Sequence, residues 1–437
     1  MRITETASDR QRTQRMVAAE SNFIDCRSSA IKYLFKNKLK LSHMRSPSAL
    51  LITALVIGTV PSIGRATDLP TVTPVAVTSP MQGTEDVADD VCVWVDRIHP
   101  VQSVIIGINK SDEVHGGLYL FDLDGSPLQE TSKWVAGSNW FAPGKKLNNV
   151  DSVAGFPVGN ETWDLVCASN RTDRALDVFR VRTSVGRFSH LEHVGRIAIG
   201  TGFASDDDAP YGIAMVEGSQ TKVWSAMISD KLGRVAQIEL QFNKDGTGHH
   251  QITGIRHDNK GQPWQISQTG CPIEGIVADP TYQAVYIAAE DEGIFRYQLR
   301  NGILSIDSKQ IVDSVGSRLQ DDIEGLTMYK QPDGAGYLLA SSQGSSQYAA
   351  YDRQYKQGHP NQHVSNFQIG QTADFDAVQS TDGIDAVFGN FGKAFPRGLL
   401  IAHDGEGSSP THYKIVPWSH VESVLLKATT RNQLPSQ

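Results

Sequence analysis

From about residue 70 onward the chain alternates short runs of Val, Ile, Leu and aromatic residues with clusters of Gly, Asp, Asn and Ser, and apolar positions almost never recur with helical spacing. The pattern predicts many short strands joined by tight turns. Six segments share one form, an apolar strand, a polar turn and a second strand. They are VIIGINKSDEVHGGLYLFDL from Val104, LVCASNRTDRALDVFRV from Leu165, VWSAMISDKLGRVAQIEL from Val223, VYIAAEDEGIFRYQL from Val285, YLLASSQGSSQYAAYDR from Tyr337 and LLIAHDGEGSSPTHYKI from Leu399. Their starts lie 61, 58, 62, 52 and 62 residues apart. A β-unit repeated six times at so even a period predicts an all-β fold, a six-bladed β-propeller with a central channel, in which each four-stranded blade covers its neighbour. A parallel β-helix needs shorter repeats, and a sandwich does not repeat six times.

A further short strand precedes each unit, and an acidic or amide group stands at its start. These are Asp89 and Asp90 before VCVWV, Asn149 and Asp151 around SVAGF, Asp208 before APYGIAM, Glu274 in IEGIVAD, Asp322 and Glu324 in DIEGLTMY, and Asp382 and Asp385 in TDGIDAVF. If these strands are innermost, the groups converge on one mouth of the channel. Crowded carboxylates repel one another unless cations neutralise them, and hard oxygen ligands in such number suit calcium, several ions of it. The turns closing each first strand pair face the same end: the first three carry Lys110, Arg171 and Lys231, the next three Glu290 with Asp291, Gln343, and Asp404. A mouth cationic on one side and acidic on the other suits a polyanion.

The first 66 residues read differently. Ala49–Val60 is a 12-residue apolar run, preceded by Met44-Arg45 and followed by Gly64-Arg65-Ala66, the layout of a secretory signal with its cleavage site. It is too short to span a bilayer. Residues 44–66 are thus expected to be a signal peptide, residues 1–43 an over-extended start, and residues 67–437 the propeller of a secreted or periplasmic protein.

Removing that segment sharpens the charge. The first 66 residues hold 11 Lys and Arg against 4 Asp and Glu, so the remaining 371 carry 29 against 44, a net −15. So acidic a chain, with no basic stripe, is not expected to bind nucleic acid, and a closed propeller has no edge demanding a partner, so a monomer is expected. Of four cysteines, Cys26 falls in the leader; Cys92 and Cys167 sit in strand-like runs as expected buried thiols, and a bridge through Cys271 stays open.

Residues 80–420 resemble the β-propeller phytases, calcium-dependent enzymes that remove phosphate from inositol hexakisphosphate. The matching stretches include ADDVCVW, KLNNVD, ASNRT, YGI, YIAAEDEGI, DIEGLTMY, YLLASSQGSSQYAAYDR, STDGIDAV, FPRGLLIAHDGE and YKIVPW, in fixed order. The resemblance implies that Asp89, Asp90, Glu274, Glu290, Glu324 and Asp382 hold the calcium cluster. Asn149, Val150, Asp322, Gln343 and Asp376 fall at neighbouring calcium positions, and Val91, a proline in the family, is expected to offer its carbonyl. Lys110, Arg171, Tyr211 and Lys231 resemble the phosphate-binding groups, so that together with Glu274 and Glu290 they are the expected catalytic residues. Leu232 and Ala289 depart from the acidic residues usual there, and TGCPIEG is longer than the family's equivalent around Glu274.

The expected reaction is calcium-dependent hydrolysis of phytate, free or as its calcium salt, by direct attack of water without a phosphoenzyme, since no Ser, Cys or His stands in a base-paired arrangement. Two other classes fit less well. A propeller lactonase could use the acidic mouth but not the three cations, and a non-catalytic module could bind inositol phosphates or a protein through the same surface.

Overall fold

The computed structural model describes residues 69–433 apart from 84–85, 112–114, 129–145, 185, 201, 204, 245–249, 259, 355–360 and 406–410. The leader and signal-peptide readings, and Cys26 with them, lie outside the described residues.

The described strands form six sheets, the blades of a propeller. Their first strands are Ala88–Trp94, Leu147–Val158, Ile213–Val216, Ile273–Asp279, Ile323–Lys330 and Ile384–Val387. Each packs beside the first strand of the next blade, and Ile384–Val387 returns to Ala88–Trp94, so these strands wall a central channel. The second strands are Val104–Asn109, Glu161–Asn170, Ser225–Ser229, Ala284–Ala289, Gly336–Ser342 and Leu399–Asp404. Each of the six sequence repeats therefore begins at or beside the second strand of a blade. Most second strands are apolar without alternation because neighbouring blades cover both faces. Accordingly, the core among the described residues falls into six clusters, one between each pair of adjacent blades.

Closure of the ring uses the first residues of the described chain. Thr71–Val72 pairs in parallel with His363–Ile369 of blade five, and Ala76–Val77 adds a strand antiparallel to His412–Pro417 of blade six. The beginning of the described chain is thus woven into the last two blades, which covers edges that would otherwise be open.

One helix escaped the strand-only reading. Helix α1 (Trp418–Gln433) buries Trp418, Val421, Val424 and Leu425, a spacing of three, three and one that makes a single apolar stripe. Trp418 stacks on Tyr329 of blade five, with ring centroids 3.5 Å apart and planes 9° from parallel. The stripe is short and follows directly on a strand, which hides it from periodicity.

Candidate active site

The site is built by one irregularity repeated around the ring. In four first strands the ladder slips at the same place: between Ala88 and Val91, Leu147 and Val150, Ile273 and Ile276, and Ile323 and Leu326. A bulge frees two residues from regular pairing and re-aims their side chains. Those residues are Asp89-Asp90, Asn148-Asn149, Glu274-Gly275 and Glu324-Gly325. In blades three and six the register places Tyr211-Gly212 and Asp382-Gly383 at the same height, just ahead of Ile213 and Ile384. One residue per blade thus forms a ring: Asp89, Asn148, Tyr211, Glu274, Glu324 and Asp382. Glu324 is half-buried and the other five are buried.

The glycines that follow have a steric reason. A Cβ on Gly275 would stand 2.7 Å from the Glu324 carbonyl oxygen, and one on Gly325 would stand 2.7 Å from that of Asp382. At these positions only glycine lets the next blade's ring residue rest its backbone so closely. Serine hydroxyls add stitches between blades. Ser169 Oγ accepts from the Asn149 N–H at 2.9 Å and donates to the Tyr211 carbonyl at 2.6 Å, and Ser341 Oγ does the same for Gly325 and Asp382, both at 2.7 Å.

The cations come to this mouth as the repeat required. Lys110 Nζ lies 3.3 Å from Asp89 Oδ1, 3.2 Å from Asp382 Oδ2 and 3.0 Å from Asp86 Oδ2. Tyr211 gathers the other two: Lys231 Nζ is 4.4 Å from its ring centroid and the Arg171 guanidinium carbon 5.8 Å. Opposite them, Glu274, Glu290 and Glu324 each bring a carboxylate oxygen within 4.8 Å of the other two. Gln343 Nε2 donates to Glu324 Oε2 at 2.8 Å and also to Asp382.

Electrostatics mark this cluster as incomplete without added positive charge. Burial, then repulsion from Glu290 and Asp382, pushes Glu274 up to about 8, while Tyr211 donates to it and Lys110 pulls the other way. Burial pushes Glu290 up to about 8 as well, against the pull of Lys231. Asp89, Asp90 and Glu324 are also raised, burial being the largest cause each time. Asp382 alone goes down: despite burial, His403 and Lys110 hold it well below the usual carboxylate range. The reason is His403, fully buried behind Asp382, with Nδ1 3.3 Å from its Oδ2. Glu290 Oε1 is buried with no hydrogen-bond partner. Clustered oxygen donors, one of them orphaned, fit a hard divalent cation.

Other expected positions fall around this centre. Asp90 Oδ2 accepts from the Val150 N–H at 3.0 Å, so Asp90 and Val150 join blades one and two. Val91 returns to the ladder opposite Gly107. Asp322 accepts the Gln343 N–H at its carbonyl, 2.8 Å, and its charge raises Glu290. Asp376 stands in a separate group with Asp404 and His412, and it pairs with buried Lys414. Asp404 also turns to Lys414, at 3.1 Å, and the register puts Gly405 at the height held by Glu290 and Gln343 elsewhere. Asp208 caps a turn with Ser205 and pairs with Arg234, and Tyr211 takes its expected place in the ring. Asp151 and Asp385 lie below the mouth, accepting the Met215 and Val93 N–H groups of adjacent blades. Glu274 occupies the same bulge position as Glu324, so the divergent TGCPIEG stretch leaves it in register. Cys92, Cys167 and Cys271 are free and buried, so Cys271 forms no bridge among the described residues.

Sequence reasoning missed three participants: Asn148, Asp86 and His403. Only Asn148 carried a signal, its place beside Asn149 in the KLNNVD stretch.

A ring of this kind on a six-bladed propeller gathers carboxylates that could hold a metal ion beside three cationic side chains. The phytase family model matches residues 42–432, and the 3-phytase of Bacillus subtilis (strain 168) is 35% identical over 353 residues, covering 79% of this chain and 82% of that one. The chain belongs to the phytase family. Among solved structures, a luciferin-regenerating enzyme is similar at a TM-score of 0.39 and 8% identity, over 79% of this chain and 95% of the other. A functionally unknown protein from Desulfotomaculum acetoxidans gives 0.38 and 12%, over 65% and 73%. At such scores neither likeness bears on function.

Proposed function

We propose that this chain hydrolyses the phosphate monoesters of phytate with calcium as its cofactor, releasing inorganic phosphate by direct attack of water. The observation that carries this reading is the juxtaposition of three cationic side chains with an acidic cluster whose carboxyl groups are raised by burial and mutual repulsion. An acidic chain, net −8 in full and −15 over residues 67–437, repels a polyphosphate unless its own site inverts the local field. Glu274, Glu290, Glu324, Asp89 and Asp382 would hold the ions, with Gln343 as a neutral donor beside them. Calcium there supplies Lewis-acid polarisation of phosphate oxygens and an acidified water.

The chain's own groups do the rest. Lys110, Arg171 and Lys231 bind phosphate oxygens and stabilise charge that spreads over them as the bond breaks. Tyr211 supports two of these cations on its ring face and keeps its phenolic proton, because burial and the nearby glutamates raise it well above its ordinary range. Glu290 keeps one buried oxygen unpartnered at the mouth, which would be open to an ion or to the attacking water. Ser169, Ser229 and Ser341 are buried and committed to backbone, and Cys92, Cys167 and Cys271 are buried, so none of these is presented as a nucleophile.

Turnover of radiolabelled phytate, quenched rapidly into acid and separately into base, is expected to leave no phosphate on the chain. Label retained in either quench would overturn direct attack. Secretion through residues 44–66, cleavage near Ala66 and a monomeric state belong to the same reading; no described helix is long and apolar enough to cross a membrane.

A further inference from the structure

The ring position of blade two is filled by Asn148, where blades one, four, five and six carry Asp89, Glu274, Glu324 and Asp382. Its amide is fully committed. Nδ2 donates to Glu274 Oε1 at 2.9 Å and to Asn149 Oδ1 at 2.7 Å, and Oδ1 accepts from Arg171 Nη1 at 3.3 Å. Arg171 fixes the orientation of the amide: the guanidinium can only donate, so it takes Oδ1 and leaves Nδ2 for Glu274 and Asn149. The side chain is 1% exposed.

Blades two and four are not neighbours; blade three lies between them. The Asn148–Glu274 bond therefore spans the channel mouth and joins the cationic half of the site to the acidic half.

We propose that Asn148 is a positioning residue that couples the phosphate clamp at Arg171 to the carboxylate at Glu274. A carboxylate there would suit Arg171 but crowd Glu274, and an aliphatic residue would leave both charged groups without their buried partner. An amide serves both ends at once. Arg171 has no carboxylate partner among its described contacts, so this acceptor, with the Tyr211 ring face, sets the direction in which the guanidinium faces incoming phosphate. The coupling rests on the phytase reading for its substrate.

Losing a buried hydrogen bond to a charged group corresponds to about tenfold in binding. Asn148→Ala is expected to raise KM for phytate about tenfold at saturating calcium, with kcat changed less than about threefold, and to raise the calcium concentration for half-saturation, read by calorimetry without substrate. Adding Arg171→Ala to that variant should raise KM little further, because the two act through one contact. Asn148→Asp keeps the shape and the acceptor for Arg171 but not the donors to Glu274, so KM should stay near the wild-type value while the calcium isotherm shifts. This variant also decides the matter if Asn148→Ala does not fold. The proposal is overturned if KM in Asn148→Ala equals that of the wild type, if Asn148 and Arg171 effects multiply independently, or if the alanine variant loses only thermal stability. A wild-type chain that releases no phosphate from phytate would instead refute the phytase reading itself.

Discussion

Lys110 Nζ sits 3.2 Å from Asp382 Oδ2 across 272 residues of sequence, and this contact joins the first blade to the last at the mouth of the channel. The same ammonium reaches Asp89 and Asp86, so one cation faces the carboxylates that flank the ring's closure. The acidic protein thus holds a cation where its own carboxyl groups are densest.

Replacing Lys110 or Lys231 by methionine preserves the aliphatic stem and removes the charge. Each variant is expected to lower kcat/KM for phytate by about 10²-fold, the scale for losing one donor aimed at developing charge. The loss should appear in steady-state phosphate release at saturating calcium, with an unchanged circular dichroism spectrum. A loss under threefold in both variants would remove these cations from the phosphate site.

Calcium should stabilise the fold more as pH rises. Glu274 and Glu290 have folded values of about 8 against 4.5 for the free group. A folded value above the unfolded one means the metal-free fold is favoured below about 4.5 and loses stability as pH climbs to about 8. Bound calcium needs both groups ionised and removes that penalty. The rise in melting temperature on adding calcium is therefore expected to be larger at pH 8 than at pH 5.5, by calorimetry. An equal rise at both would contradict the burial argument.

Gly325→Ala tests the ring's geometry. Its new Cβ would meet the Asp382 carbonyl oxygen, which is backbone and cannot swing aside. Displacing Asp382 should weaken calcium binding at least tenfold in a titration, even where the circular dichroism spectrum is retained.

Trp418→Ala tests helix α1 separately. The Tyr329–Trp418 stack and the buried stripe predict a loss of about 3–5 kcal/mol in urea unfolding. Activity at 25 °C should be unchanged, because the helix packs on blades five and six and supplies no described group to the mouth.

The propeller was legible because its blades repeat. Apolar second strands recur at near-constant spacing, and buried strands of that kind cannot be read as amphipathic helices. The site was legible to the extent that its residues shared the repeat's frame: Lys110, Arg171, Lys231, Glu290 and Gln343 all follow a second strand and all reach the mouth. Asp404 fails because its strand pairs one residue out of step, and Asp208 fails because it stands three residues ahead of the ring position that Tyr211 holds. His403 and Asp86 carry no pattern of their own; His403 acts on Asp382 within blade six, and Asp86 meets it only where the last blade closes on the first. Asn148 lay one residue from an expected ligand, and only the bulge, which depends on strand pairing, distinguishes it from Asn149.

The central claim is that a calcium-loaded acidic cluster and three cations release phosphate together. Its most direct test is phosphate release from phytate by Thr67–Gln437 near neutral pH, with calcium titrated in and then withdrawn by chelator. The account predicts release that follows calcium, stops on chelation, returns on re-addition, and is abolished in folded Glu290→Gln. Release that persists after chelation, or survives in Glu290→Gln, would contradict it.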